Sequence, residues 1–207
     1  AAATYLIPNI EAWGVFFAAS VLMVPSVLIP AERAVEPTTT GGTMRDRVAI
    51  ITGVGSAGQL GYAIAQQFAE AGARLVVVGL HADIRSIATE LGPRDRVIGV
   101  AADLTKQSDV DAVIAAARTY GRVDALVNIA GGLTVTATTA QTTGEMFRHE
   151  MSINAETMLL MSRAALPLLR ESRGAIVHFA SPAGENAVAG AAAAARSARS
   201  RSTRART

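Results

Sequence analysis

The stretch ITGVGSAGQLGYAIA, residues 51–65, decides the fold. An apolar run, RVAIIT (47–52), leads into it and a helical pattern leaves it. Strand, glycine-rich turn and helix in that order make a site for phosphate. Bare backbone N–H groups allow close approach, and the helix N-terminus adds a favourable dipole. Gly53 is placed to turn the chain out of the strand, and Gly61 to let the helix pack closely on the sheet. Gly55, Ser56 and Gly58 belong to the widened loop between them. Ile64, Ala65, Phe68 and Ala69 then keep the period of an amphipathic helix, which Gly72 stops.

The same alternation continues downstream. RLVVVG (74–79), RVIGVAA (96–102), VDALVNIA (123–130) and GAIVHFA (174–180) are short and continuously apolar, as strands buried on both faces should be. Helical patterns separate them at 61–72, 82–92, 106–121 and from about 144 to 172. Strand and helix in repeated alternation predict an α/β fold with right-handed crossovers and a doubly wound parallel sheet.

Composition narrows the function. The chain has 207 residues, 50% of them hydrophobic, enough for one domain with a sizeable core. It has no Cys, which excludes disulfides and thiolate metal sites. His81, His149 and His178 show no metal-ligand spacing, so no metal is expected. The net charge of +2 is set by Arg196, Arg199, Arg201, Arg204 and Arg206, and the rest of the chain is net acidic. A basic pI of that origin does not point to nucleic acid.

Three segments are expected: an N-terminal extension, 1–43, a dinucleotide-binding domain, 44–190, and a disordered Ala/Arg/Ser tail, 191–207. Residues 12–31 carry no charge and are long enough to cross a bilayer, although Pro25 and Pro30 interrupt them and no basic cluster precedes them. One reading is a membrane tether. The other, favoured because a self-contained motif begins just after Met44, is sequence upstream of a natural start. The product would then be cytoplasmic.

The glycine turn and four further motifs, in order, resemble the short-chain dehydrogenase/reductase family, over about residues 45–190. Thr52 and Gly53 match its Thr-Gly, and Gly61 its last loop glycine. The loop is two residues longer, and Gln59 stands in the middle glycine slot. ADLT (102–105) resembles the family's adenine-contacting segment, which implies Asp103 and the adjoining Leu104 as cofactor contacts. LVNIAG (126–131) resembles Leu-Val-Asn-Asn-Ala-Gly, with Asn128, Ala130 and Gly131 matching and Ile129 replacing the second Asn. SINAETMLLMSRAALPLLR (152–170) resembles the long central helix, with Asn154 at the catalytic Asn. GAIVHFASPAG (174–184) resembles strand five, with Ser181 at the catalytic Ser.

The resemblance implies a Rossmann-like domain and NAD(P)-dependent hydride transfer between a nicotinamide and a small carbonyl/alcohol substrate, in a homo-oligomer. NAD-preferring relatives end strand two with an acid on the ribose 2′-OH. Gly79 stands there, which leans the cofactor weakly from NAD towards NADP.

The resemblance also implies a Tyr general acid/base with a Lys four residues later. The Tyr should follow Ser181 by about a dozen residues. The only tyrosines are Tyr5, Tyr62 and Tyr120, none has a Lys four residues on, and Lys106 is the only Lys. Either a frameshift or chimeric gene replaces the sequence after about residue 190, or the chain is a non-catalytic dinucleotide-binding or interaction protein. On both readings the sheet is expected to be incomplete at its C-terminal side, with the fifth strand as an exposed edge. The chain as printed is then expected to be inactive.

Overall fold

The computed structural model describes residues 44–181. The apolar stretch 12–31, the end of the expected domain beyond 181, and the Arg-rich segment 191–207 lie outside the described residues.

Five strands form one parallel sheet: β1 (Val48–Thr52), β2 (Arg74–Gly79), β3 (Val97–Ala101), β4 (Ala125–Asn128) and β5 (Ala175–His178). Their spatial order is β3-β2-β1-β4-β5. Between them run α1 (Leu60–Glu70), α2 (Ile84–Leu91), α3 (Gln107–Arg118), α4 (Gly144–Met151) and α5 (Thr157–Ser172). The chain builds outward from β1 to β3, then crosses back to place β4 on the other side of β1. That reversal opens a crevice at the carboxyl ends of β1 and β4, where ligands of such sheets bind.

Alternate strand residues feed two cores. Ile50, Val76, Val78 and Leu126 face α3 and α5, meeting Val110, Val113, Ile114, Ala117, Met161, Ala165 and Leu169. Ala49, Ile51, Leu75, Val77 and Val127 face α1 and α2, meeting Ala65, Ile84, Ile87 and Ala88. Each fully buried Val, Leu or Ile contributes about 1.5–3 kcal/mol, so the central strands anchor the domain. Helix α1 ends as the sequence predicts: Gly72 takes φ +93°, and the Ala73 N–H closes the last turn on the Phe68 carbonyl.

Two features depart from the sequence reading. β5 is not buried on both faces: Ile176 packs on the α3/α5 core, while Val177 is 47% exposed. Among the described residues β5 pairs only with β4. The expected long helix runs from Gly144 to Ser172, but it is not α-helical throughout. A π-helical turn, Ser152–Glu156, separates α4 from α5 and carries Asn154. Single π turns of this kind re-aim side chains and occur often at functional sites.

Among the described residues no helix is long and apolar enough to cross a membrane.

Candidate functional site

The site is built at the carboxyl ends of the strands. Thr52, the last residue of β1, is fully buried. Its Oγ1 accepts from the N–H groups of Ile129 at 3.1 Å and Ala130 at 3.2 Å, which locks the exit of β4 to that of β1. Gly53 follows at φ +73°, in the left-handed region, and an added Cβ would lie 2.6 Å from the Ala130 nitrogen. Only glycine fits both demands. Gly61, on the first turn of α1, would place a Cβ 2.2 Å from the Gly53 carbonyl oxygen. The helix therefore sits directly against the turn, and the Val54 N–H ties that turn to the Val78 carbonyl at 2.9 Å.

The loop between presents its backbone. Among the described residues, none of the N–H groups of Gly55, Ser56, Ala57 and Gly58 donates a hydrogen bond. Gln59 precedes α1 in extended conformation, and its carboxamide lies over Gly55, with Oε1 1.9 Å from where a Gly55 Cβ would be. The exposed donors at the head of an eleven-residue helix, with glycine at the two crowded positions, fit a dinucleotide diphosphate.

The ends of β2 and β3 flank this turn. At Gly79 an added Cβ would lie 2.7 Å from the Val54 carbonyl oxygen and 3.2 Å from Ile84 Cβ. The missing acid at this position thus has a packing cause: no side chain fits there. Leu80 beside it is exposed. Asp103 lies just past β3. Its Oδ1 accepts from the Thr105 hydroxyl at 2.6 Å and the Thr105 N–H at 3.1 Å, and its Oδ2 pairs with Lys106 at 3.2 Å. The Thr105 hydroxyl, helped by its N–H and Lys106 and opposed by partial burial, holds the Asp103 carboxyl below its ordinary value. The Leu104 side chain is buried in the core.

Across the crevice, Asn128 is 2% exposed. Its Nδ2 lies 3.3 Å from Ser162 Oγ and 3.2 Å from His178 Nδ1, so it bridges β4 to α5 and to β5. Asn154 is also buried. Its Oδ1 accepts from the Gly132 N–H at 2.9 Å, and its Nδ2 donates to the Gly132 carbonyl at 2.8 Å and the Glu150 carbonyl at 3.0 Å. Ser181 is exposed and follows β5 at the same end of the sheet. The structure thus brings Gly53, Gly61, Ala130 and Thr52 into direct contact, and Asn154 against the segment after Gly131.

Glu150 was not singled out by sequence reasoning, yet it is a completely buried carboxylate one helical turn before Asn154. Among the described residues no group of three His, Asp or Glu could hold a metal ion. The two described tyrosines lie elsewhere. Tyr62 is on α1. The Tyr120 ring packs beneath Arg74, at the amino end of β2, 5.8 Å from its guanidinium carbon. Burial pushes the Tyr120 hydroxyl up from its ordinary value, the opposite of what proton transfer near neutrality needs.

A parallel sheet with a glycine turn at its switch point defines a Rossmann-like α/β domain. The family model described as short chain dehydrogenase matches residues 47–199, which runs past the point near 190 where the sequence resemblance fades. The chain belongs to that family. It is 33% identical over 144 residues to an uncharacterized oxidoreductase of Staphylococcus aureus, covering 68% of this chain and 61% of that protein. It is 36% identical over 147 residues to an uncharacterized oxidoreductase of Mycobacterium bovis, covering 70% of this chain and 58% of the relative. Among solved structures it is similar to levodione reductase, with TM-score 0.69 and 29% identity, covering 76% of this chain and 62% of the other. The chain spans about three fifths of the length of these relatives.

Proposed function

We propose that this chain binds a nicotinamide dinucleotide as part of an oxidoreductase acting on a small carbonyl/alcohol pair. The observation that carries the proposal is the turn from Gly53 to Gly61. It is pressed between β4 and α1 so that only glycine fits at its ends, and it presents the N–H groups of Gly55 to Gly58 at the switch point. The cofactor, when bound, supplies the hydride chemistry. The chain's own groups bind and orient it. The loop N–H groups take the diphosphate, Asp103 faces the adenine, and the Asn128–Gly131 turn walls the other side. Asn154 and Ser181 are the catalytic positions the family resemblance assigns. Asn154 acts by holding Gly132, and Ser181 orients a substrate oxygen. The lean to NADP is supported at Gly79, where no acid can stand to select the 2′-OH.

A second reading, a dinucleotide-binding protein without turnover, is favoured by one sequence fact and one contact. No Tyr-x-x-x-Lys occurs in the chain, and Lys106 is engaged by Asp103. Calorimetric titration of the 207-residue chain with NADP and NAD, beside NAD(P)H consumption on a panel of ketones, separates the readings. Binding with turnover supports the oxidoreductase, and binding without turnover supports the second reading. Binding of neither dinucleotide overturns both.

A further inference from the structure

Glu150 is 0% exposed and carries no cation partner among the described residues. A buried carboxylate is costly unless its lone pairs are filled. They are filled by one short segment of chain. Oε1 accepts from the Thr134 N–H at 2.9 Å, the Thr134 hydroxyl at 2.6 Å and the Val135 N–H at 2.9 Å. Oε2 lies 3.3 Å from Asn154 Nδ2. Asn154 in turn holds Gly132 by both its backbone groups. Two side chains from α4 and the π turn therefore fix the chain from Gly132 to Val135, the stretch that leaves β4 beside the crevice. That stretch forms no regular element of its own and is largely exposed. Its path is set by these side-chain bonds.

The geometry points to Glu150 as a positioning residue: its buried carboxylate presets the Gly132–Val135 wall of the crevice for the nicotinamide half of the dinucleotide. This rests on the dinucleotide reading above. The glycine turn and Asp103 lie on the β1–β3 side, towards the diphosphate and adenine, whereas the Glu150-held wall lies past β4. Loss of Glu150 should therefore be felt by one half of the ligand only.

The test uses the full chain and two variants. Glu150→Gln keeps the shape and one acceptor but places an NH2 group against Asn154. Thr134→Val removes only the hydroxyl donor and stands in if Glu150→Gln fails to fold. Calorimetry with NADP and with 2′-phospho-ADP-ribose, its fragment lacking nicotinamide, gives the first readout. Amide hydrogen exchange at Gly132, Thr134 and Val135 gives the second, with Ile129 and Ala130, held by Thr52, as internal controls. Glu150→Gln is expected to weaken NADP by about tenfold or more, for a buried donor–acceptor mismatch. It should leave the fragment's affinity unchanged and speed exchange only at the three wall amides. Thr134→Val should do the same to a smaller degree. Equal weakening of both ligands, unchanged NADP affinity, or unchanged exchange at the wall would each overturn the assignment. If the wild-type chain binds neither ligand, the dinucleotide reading and the proposed role fall together. If it binds both while Glu150→Gln changes neither, the role of Glu150 alone falls.

Discussion

Asn154 holds both backbone groups of Gly132, accepting from its N–H at 2.9 Å and donating to its carbonyl at 2.8 Å. Asn154 stands in the π turn, and its carboxamide also donates to the Glu150 carbonyl at 3.0 Å. Asn154→Asp keeps the acceptor and removes the donor. It also sets a carboxylate 3.3 Å from Glu150 Oε2. The loss of stability should be about 2–4 kcal/mol near neutral pH, from the lost buried donor that serves the Gly132 and Glu150 carbonyls and from one like-charge contact. Urea unfolding of wild type and variant near neutral pH checks this, and a penalty under about 1 kcal/mol would mean that the Asn154 donor carries no buried bond.

The glycines of the turn should not be equivalent. An added Cβ at Gly61 meets backbone, the Gly53 carbonyl at 2.2 Å, and neither partner can yield without moving a strand end. At Gly55 the obstacle is the Gln59 side chain, which can rotate away. At Gly58 nothing lies within 4 Å, and only the φ of +90° opposes a side chain. Gly61→Ala should therefore cost most, about 2–4 kcal/mol, and Gly58→Ala about 1–2 kcal/mol for its left-handed backbone. Gly55→Ala should be nearly neutral to folding. Denaturant midpoints for the three variants read out the order directly.

The central sheet was legible because β1 and β2 are covered on both faces, which demands unbroken runs rich in β-branched residues, such as VAIIT and LVVV. The turn was legible because its glycines fall at a local spacing after a strand, although the backbone that crowds Gly53 comes from Ala130, far along the chain. β5 misled because AIVH has the composition of a buried strand, and composition does not tell whether a helix will cover each face. The π turn left no mark, since SINAE holds neither Gly nor Pro. Glu150 was invisible for a related reason. In GEMFRHEM it looks like one more charge on a solvated helix, and the donors that fill its carboxylate come from across a loop. The family motifs located Asn154 and Asn128, but the partners that orient them, Gly132, Ser162 and His178, appear only when the chain is folded.

Away from the site, Asp124 offers a pH test. It lies at the amino end of β4 and accepts from Arg47 and Arg122 and from the buried Val48 N–H at 2.9 Å. Burial pushes its carboxyl up, but the bonds from Arg122, Val48 and Arg47 together outweigh this and leave it below its ordinary value. A carboxyl depressed in the folded state contributes stability that is complete above its unfolded pKa, about 3.9, and is lost as pH falls through the lower folded value. Asp124→Asn should cost about 1–3 kcal/mol near neutral pH, chiefly for the bonds to the buried amide and to charged partners. The difference between wild type and variant should be flat above about pH 5 and shrink in acid. A difference that grows as the pH falls would contradict the depressed value.

Thr52 ties the two halves of the sheet at the point where the crevice opens. Its Oγ1 is the acceptor for two successive amides, Ile129 and Ala130, and it is fully buried. Thr52→Val preserves volume and strand propensity but leaves both amides without that acceptor, so the cost is desolvation rather than packing. About 2–4 kcal/mol is expected, one buried orphan donor being worth about 1–3 kcal/mol. Thr52→Ser keeps the oxygen and removes a methyl, so it should lose only about 1 kcal/mol, near the value of one buried methyl or methylene group. The ordering of the two variants carries the argument. Were Ser the more damaging, packing of the Thr52 methyl would dominate, and the oxygen would not be what joins β1 to β4. Amide exchange at Ile129 and Ala130 supplies the local reading: it should quicken in Thr52→Val and stay slow in Thr52→Ser. Because Gly53 rests directly on Ala130, the same loosening should weaken dinucleotide binding in Thr52→Val at temperatures where the domain remains folded.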